Sequence, residues 1–481
     1  MAAANTTILQ TPLFSSQIIP VGQPLMFVAS NVQLVSSQEK VKFIAEVFIG
    51  RHPPDTTLAT DLIGTFKTTP NNAGVGMFDI SNVVEGYVDS DHLMTLGSDY
   101  KALAATDEDG NLRYPVQLVN KFSRSYNILK YLVVRFSVQY LGATNAAGEQ
   151  DATIVRTSDG SQKNSGIFQI FNGYVKFTDQ IKRASNGTNS GFGLDMYAFK
   201  LFSYTSRALT NAPTTQYANL EDYGTLTFWT GDNVLDRMKL IFTPTTGAPV
   251  IKYVNRTGNN GAYNNWTESS RRQILHFGCY PGNLRNYSTE FNTLVTAGTI
   301  EGGSITIIAE DSDPKSISQS YIININCPNT KGYESIRLCW LNQWGAWDYY
   351  TFTKKSTKTL STKRTTYNQL GGTWNKHRYY PEGYRGGKKE FRVNTTEKIK
   401  MNTGFVTEDD TVIFEELINS PEVYVLDGYD STDSDYSLLT QYVTPARITT
   451  SSFTRKTIAN DKLMQYTFEV EKSKTFRTQA V

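Results

Sequence analysis

Histidine is the commonest general base near neutral pH, and this 481-residue chain holds four: His52, His92, His276 and His377. Each is isolated in sequence. Covalent catalysis needs a nucleophile within hydrogen-bond reach of a base, and neither HExxH nor GxSxG occurs. Cys279 follows His276 by three residues, a spacing that puts the two on opposite faces of a strand. The histidines therefore read as structural, and no cofactor is expected. The run GYRGGKK (383–389) imitates a phosphate loop, but Gly383 is out of register, no Ser or Thr follows Lys388, and no apolar strand precedes it. DGYDSTDSD (427–435) sets Asp427, Asp430, Asp433 and Asp435 beside three Ser or Thr hydroxyls, a set of oxygens suited to a hard cation such as calcium. It lacks EF-hand spacing, so a solvated acidic loop is the first reading and a calcium site the alternative.

Charge is segregated late in the chain. Residues 354–400 hold thirteen Lys or Arg against three Glu, and 401–440 hold ten Asp or Glu with no Lys or Arg. Opposite adjacent blocks invite pairing within the chain or between neighbouring copies. In the basic block, Lys354, Lys355, Lys363, Arg364, Arg378, Arg385, Lys388 and Lys389 alternate with Tyr367, Trp374, Tyr379, Tyr380, Tyr384 and Phe391. Cations interleaved with aromatics suit single-stranded nucleic acid. The Gly-rich composition suits equally an arm threading along a neighbouring subunit, which is the preferred reading.

The densest aromatic stretch is IRLCWLNQWGAWDYYTF (336–352), with Trp340, Trp344, Trp347, Tyr349, Tyr350 and Phe352. Ile336, Leu338 and Trp340 alternate as in a strand, 342–345 supply turn residues, and 350–352 resume an extended run. A core hairpin is the first expectation. Exposed tryptophans at an assembly interface or stacked on sugar rings are the alternatives.

The elements that must carry these residues are mostly strands. VKFIAEVFIG (41–50) and LVVRFSVQY (132–140) alternate with period two, and YIININC (321–327) leads into the aromatic hairpin. Asn82 and Glu85 could form a capping box, Asp109-Gly110 a turn before a strand at 112–119, and TVIFEELINSP (411–421) a helix ending before Pro421. Aromatics at 12% and 28 Tyr fit an all-β profile. The expected fold is mainly β: tandem Ig-like or jelly-roll-like sandwiches with a few short helices and a smaller mixed C-terminal domain. Expected boundaries are 1–145 for the first sandwich, 146–194 for a polar connection, and 195–353 for the second sandwich, closed by the aromatic hairpin. A basic arm follows at 354–400 and an α+β domain at 401–481. A net charge of +2 argues against a chain built wholesale to coat nucleic acid or a membrane. Cys279, Cys327 and Cys339 form no framework and read as buried thiols. With no signal peptide and no long apolar span, a soluble protein made in a cytoplasm is expected, without membrane insertion.

In order along the chain, PLMFVAS, VKFIAEVFIG, GVGMFDISNVVEGYV, IRLCWLNQWGAWDYYTF, FEELINSPEVYV and KLMQYTFEVEKSKTFRTQ resemble virion structural proteins of tailed bacteriophages. The resemblance is greatest to tail or distal-tail proteins of phages of Bacteroidetes and related hosts, crAss-like ones included. It covers blocks from every expected domain; the basic stretch departs from any fixed pattern. The resemblance implies a β-rich, non-enzymatic part of the tail, muzzle or baseplate, made in the host cytoplasm. It would form a homo-oligomeric ring or tube with other tail proteins, with passage of DNA through the lumen left open. The alternative is a receptor- or carbohydrate-binding virion protein, a fibre or head decoration for host attachment to a surface glycan. A depolymerase acting through paired carboxylates is a third class.

Overall fold

Alternation of apolar and polar residues along a strand buries one face, and two such faces close on each other in the first lobe. The computed structural model describes residues 6–12, 18–50, 62–93, 115–125, 127–144, 150–155, 163–180, 196–230, 235–255, 273–326, 332–375, 377–408, 410–427, 442–454 and 464–474. A three-stranded sheet of Thr7–Gln10, Met26–Ser30 and Val75–Asp79 covers a seven-stranded sheet built on the long strand Leu129–Thr144. Phe27, Phe43, Phe78 and Phe136 meet between them with Val47 and Val134. On the outer face Arg135 pairs with Glu46 at 2.7 Å and lies over the Phe48 ring.

The second lobe is again two packed sheets. Strands Lys200–Leu201, Thr225–Thr230, Gln273–Gly278 and Phe122–Arg124 form one; Thr215–Ala218, Tyr321–Ile325, Ser304–Glu310, Arg237–Thr243 and Val250–Asn255 form the other. Phe228, Phe277, Leu240, Ile307 and Tyr321 fill the space between them, and helices Pro281–Tyr287 and Thr289–Thr296 add Leu284 and Phe291 to the same core. These two helices, short as the mainly-β expectation allows, lie between strands of the second lobe. Phe122–Arg124 comes from the stretch assigned to the first sandwich, so the first two lobes share a sheet.

The third sheet runs in the order Trp347–Phe352, Ile336–Leu341, Val423–Leu426, Val443–Ile448, Thr467–Lys472, Gly387–Asn402, Thr357–Gln369. Its two edge strands are neighbours in sequence, joined by residues 353–356 alone. Four extended residues reach at most about 18 Å, whereas seven flat strands span roughly 29 Å. The sheet must therefore curl towards closure. Inside the curl lie Phe352, Phe468, Met401 and the apolar face of helix Thr411–Asn419, with Ile413, Phe414 and Leu417 buried.

Two of its strands outrun the sheet. Lys398 to Asn402 pair with Thr467–Lys472, but from Glu397 outward Gly387–Asn402 pairs only with Thr357–Gln369. The result is a two-stranded ribbon, exposed on both faces, with a small hairpin of Gly372–Trp374 and Tyr379–Pro381 at its tip. From Ser361 to Gln369 it projects roughly 30 Å. It leaves past the end of the sheet that carries Ile336 and Phe352, while Leu341 and Trp347 mark the other end.

Several expectations change. The aromatic hairpin is hydrogen bonded to Val423–Leu426, so it belongs to the C-terminal sheet, and an interdomain boundary at 353 would cut that sheet. Residues 116–118 form a 3-10 turn where a strand was expected. A 3-10 turn, Met196–Phe199, leads into the two-residue strand Lys200–Leu201. The helix Ser81–Val84 has no side-chain cap, so the Asn82–Glu85 capping box does not form. Helix Thr411–Asn419 ends before Pro421 as expected. Asp109-Gly110 lies outside the described residues. Replacing Trp347 by Ala removes a ring wedged in the second-lobe core and is expected to cost about 3–5 kcal/mol, read from the urea midpoint of the full chain. A loss below about 1 kcal/mol would mean that the ring supports no core.

Candidate interaction surface

The turn of the aromatic hairpin is built by one side chain. Asn342 Oδ1 accepts from the backbone N–H of Trp344 and of Ala346, and its Nδ2 donates to the Leu209 carbonyl at 2.9 Å. Gly345 sits at φ +71°, where a Cβ would also stand 2.1 Å from the Asn172 carbonyl oxygen, so the turn requires glycine. The turn then delivers three indoles to three places. Trp340 enters the C-terminal core. Trp344 enters a junction core with Ile18, Phe171, Phe199 and Trp229, and Trp347 enters the second-lobe core. All three are buried, and Trp347 Nε1 donates to the Asp91 carbonyl. No indole face is left for a sugar, which removes the stacking reading at this hairpin. Tyr349 and Phe352 are buried with them; Tyr350 is partly buried against Phe414.

Polar groups are buried around the hairpin. Arg337 donates to the Tyr223 carbonyl at 2.8 Å and to Thr351 at 2.7 Å, lies 3.4 Å from Asp222, and is stacked over Tyr280 and Tyr349. Burial pushes the thiols of Cys279 and Cys339 and the phenol of Tyr349 up, so all stay neutral. Both cysteines are free, as the spacing implied; Cys327 lies outside the described residues. Asp348 accepts from Thr210 and Glu416 from Asn211, each at 2.5 Å. Asp348 Oδ2 and Glu416 Oε2 are buried, the Asn342 side chain adds a hydrogen bond at Asp348, and the two carboxyls bond to each other when one is protonated. Burial raises the pKa of both, and the Asp348 charge raises that of Glu416 further.

Two histidines that look isolated in sequence have long-range partners. His276 Nδ1 is 2.9 Å from Thr227 Oγ1 and its Nε2 is 3.1 Å from Asp91 Oδ2, an order of groups seen in hydrolytic triads. All three are buried, with His276 at 0% exposure, so the arrangement ties two lobes together out of reach of a substrate. His92 Nε2 meets Glu422 Oε2 at 2.6 Å; this bond raises the His92 pKa and lowers that of Glu422. Neither contact is visible in sequence, because the partners are 185 and 330 residues apart.

On the ribbon, residues directly opposite share a face. Lys363 with Asn394, Thr365 with Arg392 and Tyr367 with Lys389 lie on one; Leu360 with Glu397, Arg364 with Val393 and Asn368 with Lys388 on the other. The second face balances much of its own charge: Arg364 pairs with Glu390, Glu397 with Lys472, and Lys358 with Glu334. Among the described residues Lys363, Lys389 and Arg392 have no carboxylate partner, nor do Lys388, or Lys354 and Lys355 at the base. Arg378 and Arg385 are at the tip, each over a tyrosine ring, and Arg385 also pairs with Glu382. Leu370, Trp374 and Tyr384 are exposed there, the last at 74%. No ion pair joins a described residue of 354–400 to one of 401–440, although the Lys358 charge acts on Asp427 at longer range.

A cleft of about 510 Å³ opens where the lobes meet. Gly22 and Tyr174 of the first lobe, Leu341 to Gln343 of the hairpin turn, and Glu415, Glu416 and Asn419 of helix Thr411–Asn419 line it, with Glu85 and Lys176. Lys176 lies 3.7 Å from Glu415. Of the calcium candidates only Asp427 is described, and its pKa is raised by desolvation; Asp430, Asp433 and Asp435 lie outside the described residues. Among the described residues no cluster of His, Cys, Asp and Glu could hold a metal, and no helix is long and apolar enough to cross a membrane.

No protein-family model matches the chain, and no curated protein matches it.

The acid pair makes stability depend on pH. Both folded pKa values lie above the unfolded carboxyl range, so the contribution is complete at low pH and is lost as pH rises through them. Glu416→Gln keeps the acceptor for Asn211 and gives Asp348 a permanent N–H donor. Between about pH 6 and about pH 9 the wild-type melting temperature is expected to fall relative to that of the variant. Parallel melting curves would show that the two carboxyls do not share a proton.

Proposed function

We propose that this chain is a structural component of a bacteriophage virion, of the tail, muzzle or baseplate, which assembles through protein–protein contacts into a multi-copy ring or tube. The observation that carries the reading is the ribbon. A two-stranded hairpin without a buried face is marginal on its own, and bare strand edges invite pairing with another chain. Here both faces and most of both edges are bare over roughly 30 Å, and large apolar side chains crowd the tip. Such a ribbon is supported when a neighbouring copy covers it. The sequence blocks that resemble tailed-phage virion proteins supply the context, a particle in which one chain recurs around an axis. The reading assigns no catalysis, and the burial of Asp91, His276 and Thr227 agrees with it.

A specific feature favours a second contact along the ribbon. Lys363, Arg392 and Lys389 stand on one face without carboxylates, in company with Thr and Asn, a composition that suits the phosphates of DNA passing a lumen.

Replacing residues 361–396 with an Asn-Gly turn is expected to leave the melting temperature nearly unchanged, because among the described residues of that stretch only Gly372 is buried and none belongs to a hydrophobic core. The same change is expected to convert a multi-copy species into a monomer in sedimentation velocity. Purified virions should contain the chain in many copies by mass spectrometry; its absence would end the virion reading. Weak, salt-insensitive DNA binding by the full chain would remove the second contact.

A further inference from the structure

The ribbon and the junction cleft are complementary and lie at opposite ends of one sheet. Register fixes the directions. Lys398 lies opposite Glu471 and Asn402 opposite Thr467, so the ribbon continues past Lys472, beyond the end that carries Ile336 and Phe352. The cleft is lined by Leu341 to Gln343 and by Ser420 and Pro421, which lie at the other end. A ribbon projecting roughly 30 Å away from the sheet cannot fold back into the cleft of its own chain.

We propose that the ribbon tip of one copy seats in the junction cleft of the next. This deepens the assembly reading above and rests on it. The charges match: among the described lining residues Glu85 and Glu415 carry charge into the cleft beside Lys176, while Glu416 is kept protonated by burial, and Arg378 and Arg385 flank the tip. Among the described residues the two oppositely charged blocks of the sequence make no ion pair within 4 Å, Lys358 acting on Asp427 only at longer range, so attraction between copies adds to what the chain satisfies itself. The apolar surfaces match as well. Trp374 and Tyr384 are 68% and 74% exposed at the tip, Tyr174 lines the cleft, and Phe177 is exposed close by in sequence. A volume of about 510 Å³ is that of a site for a whole small ligand and takes one large aromatic side chain. Because donor and acceptor are different surfaces, the contact is head-to-tail, and it generates a ring if the rotation closes and a tube or filament if it does not.

Two full-length variants test the contact. The tip variant carries Trp374→Glu and Tyr384→Glu; the cleft variant carries Glu85→Lys and Asn419→Lys. All four positions are exposed, and unchanged melting curves verify the fold. Each variant alone is expected to sediment as a monomer. An equimolar mixture is expected to give a dimer and nothing larger, since the intact tip of one fits the intact cleft of the other and the remaining ends are blocked. If wild type assembles and either variant assembles like it, the seating is wrong while the assembly reading stands. Two monomeric variants that fail to pair on mixing would also overturn it. A wild-type chain that stays monomeric at high concentration ends both readings together.

Discussion

Three hydrophobic cores depend on one turn. Within the eight residues from Trp340 to Trp347, successive indoles enter the C-terminal core, the junction core and the second-lobe core. A strand presents its residues alternately to two sides, so a hairpin lying between two cores can feed both, and its turn can reach a third. Each buried indole contributes a few kcal/mol of apolar burial, and none can move without disturbing the other two. The lobes are therefore coupled through covalent geometry as well as through surface contact.

The polar groups around the hairpin fix its register. Arg337 serves Asp222, Thr351 and the Tyr223 carbonyl at once, and Asp348 meets Thr210. A slip of one residue would turn every side chain to the opposite face and leave Asp222 buried without its cation. Buried ion pairs add little net stability compared with apolar replacements, but breaking one is costly. His92 with Glu422 adds a titratable clasp between the first and third lobes. It is complete only where His92 is charged and Glu422 ionised, between the lowered carboxylate pKa and the raised imidazole pKa.

Local signals were legible in the sequence wherever they were local in cause. Period-two alternation marked strands such as Lys42–Gly50, and apolar spacing with Pro421 marked the helix Thr411–Asn419. The turn at 342–345 followed from its residue types. Partnership was not legible. Whether Ile336–Leu341 joins the second sandwich or the C-terminal sheet depends on a strand that begins more than eighty residues later, at Val423. The same distance hid the acid pair of Asp348 with Glu416 and the contact of His276 with Asp91, since no local pattern marks a residue whose partner arrives from another lobe. The basic stretch was visible as composition, but its form as a paired ribbon depends on thirteen cross-strand positions that no short window contains.

Among the described strands, those of the ribbon can change length most freely. Its strands leave the sheet near Leu360 and return at Lys398, so residues can be added or removed farther out without touching any core. Two residues inserted in each strand would lengthen it by roughly 7 Å and keep every side chain on its face, whereas a single residue per strand would exchange the faces. In an assembly joined through its tip, the ribbon acts as a ruler. The repeat distance between subunits would then be inherited separately from the fold, and related particles of different girth or pitch could arise by insertion in this segment alone.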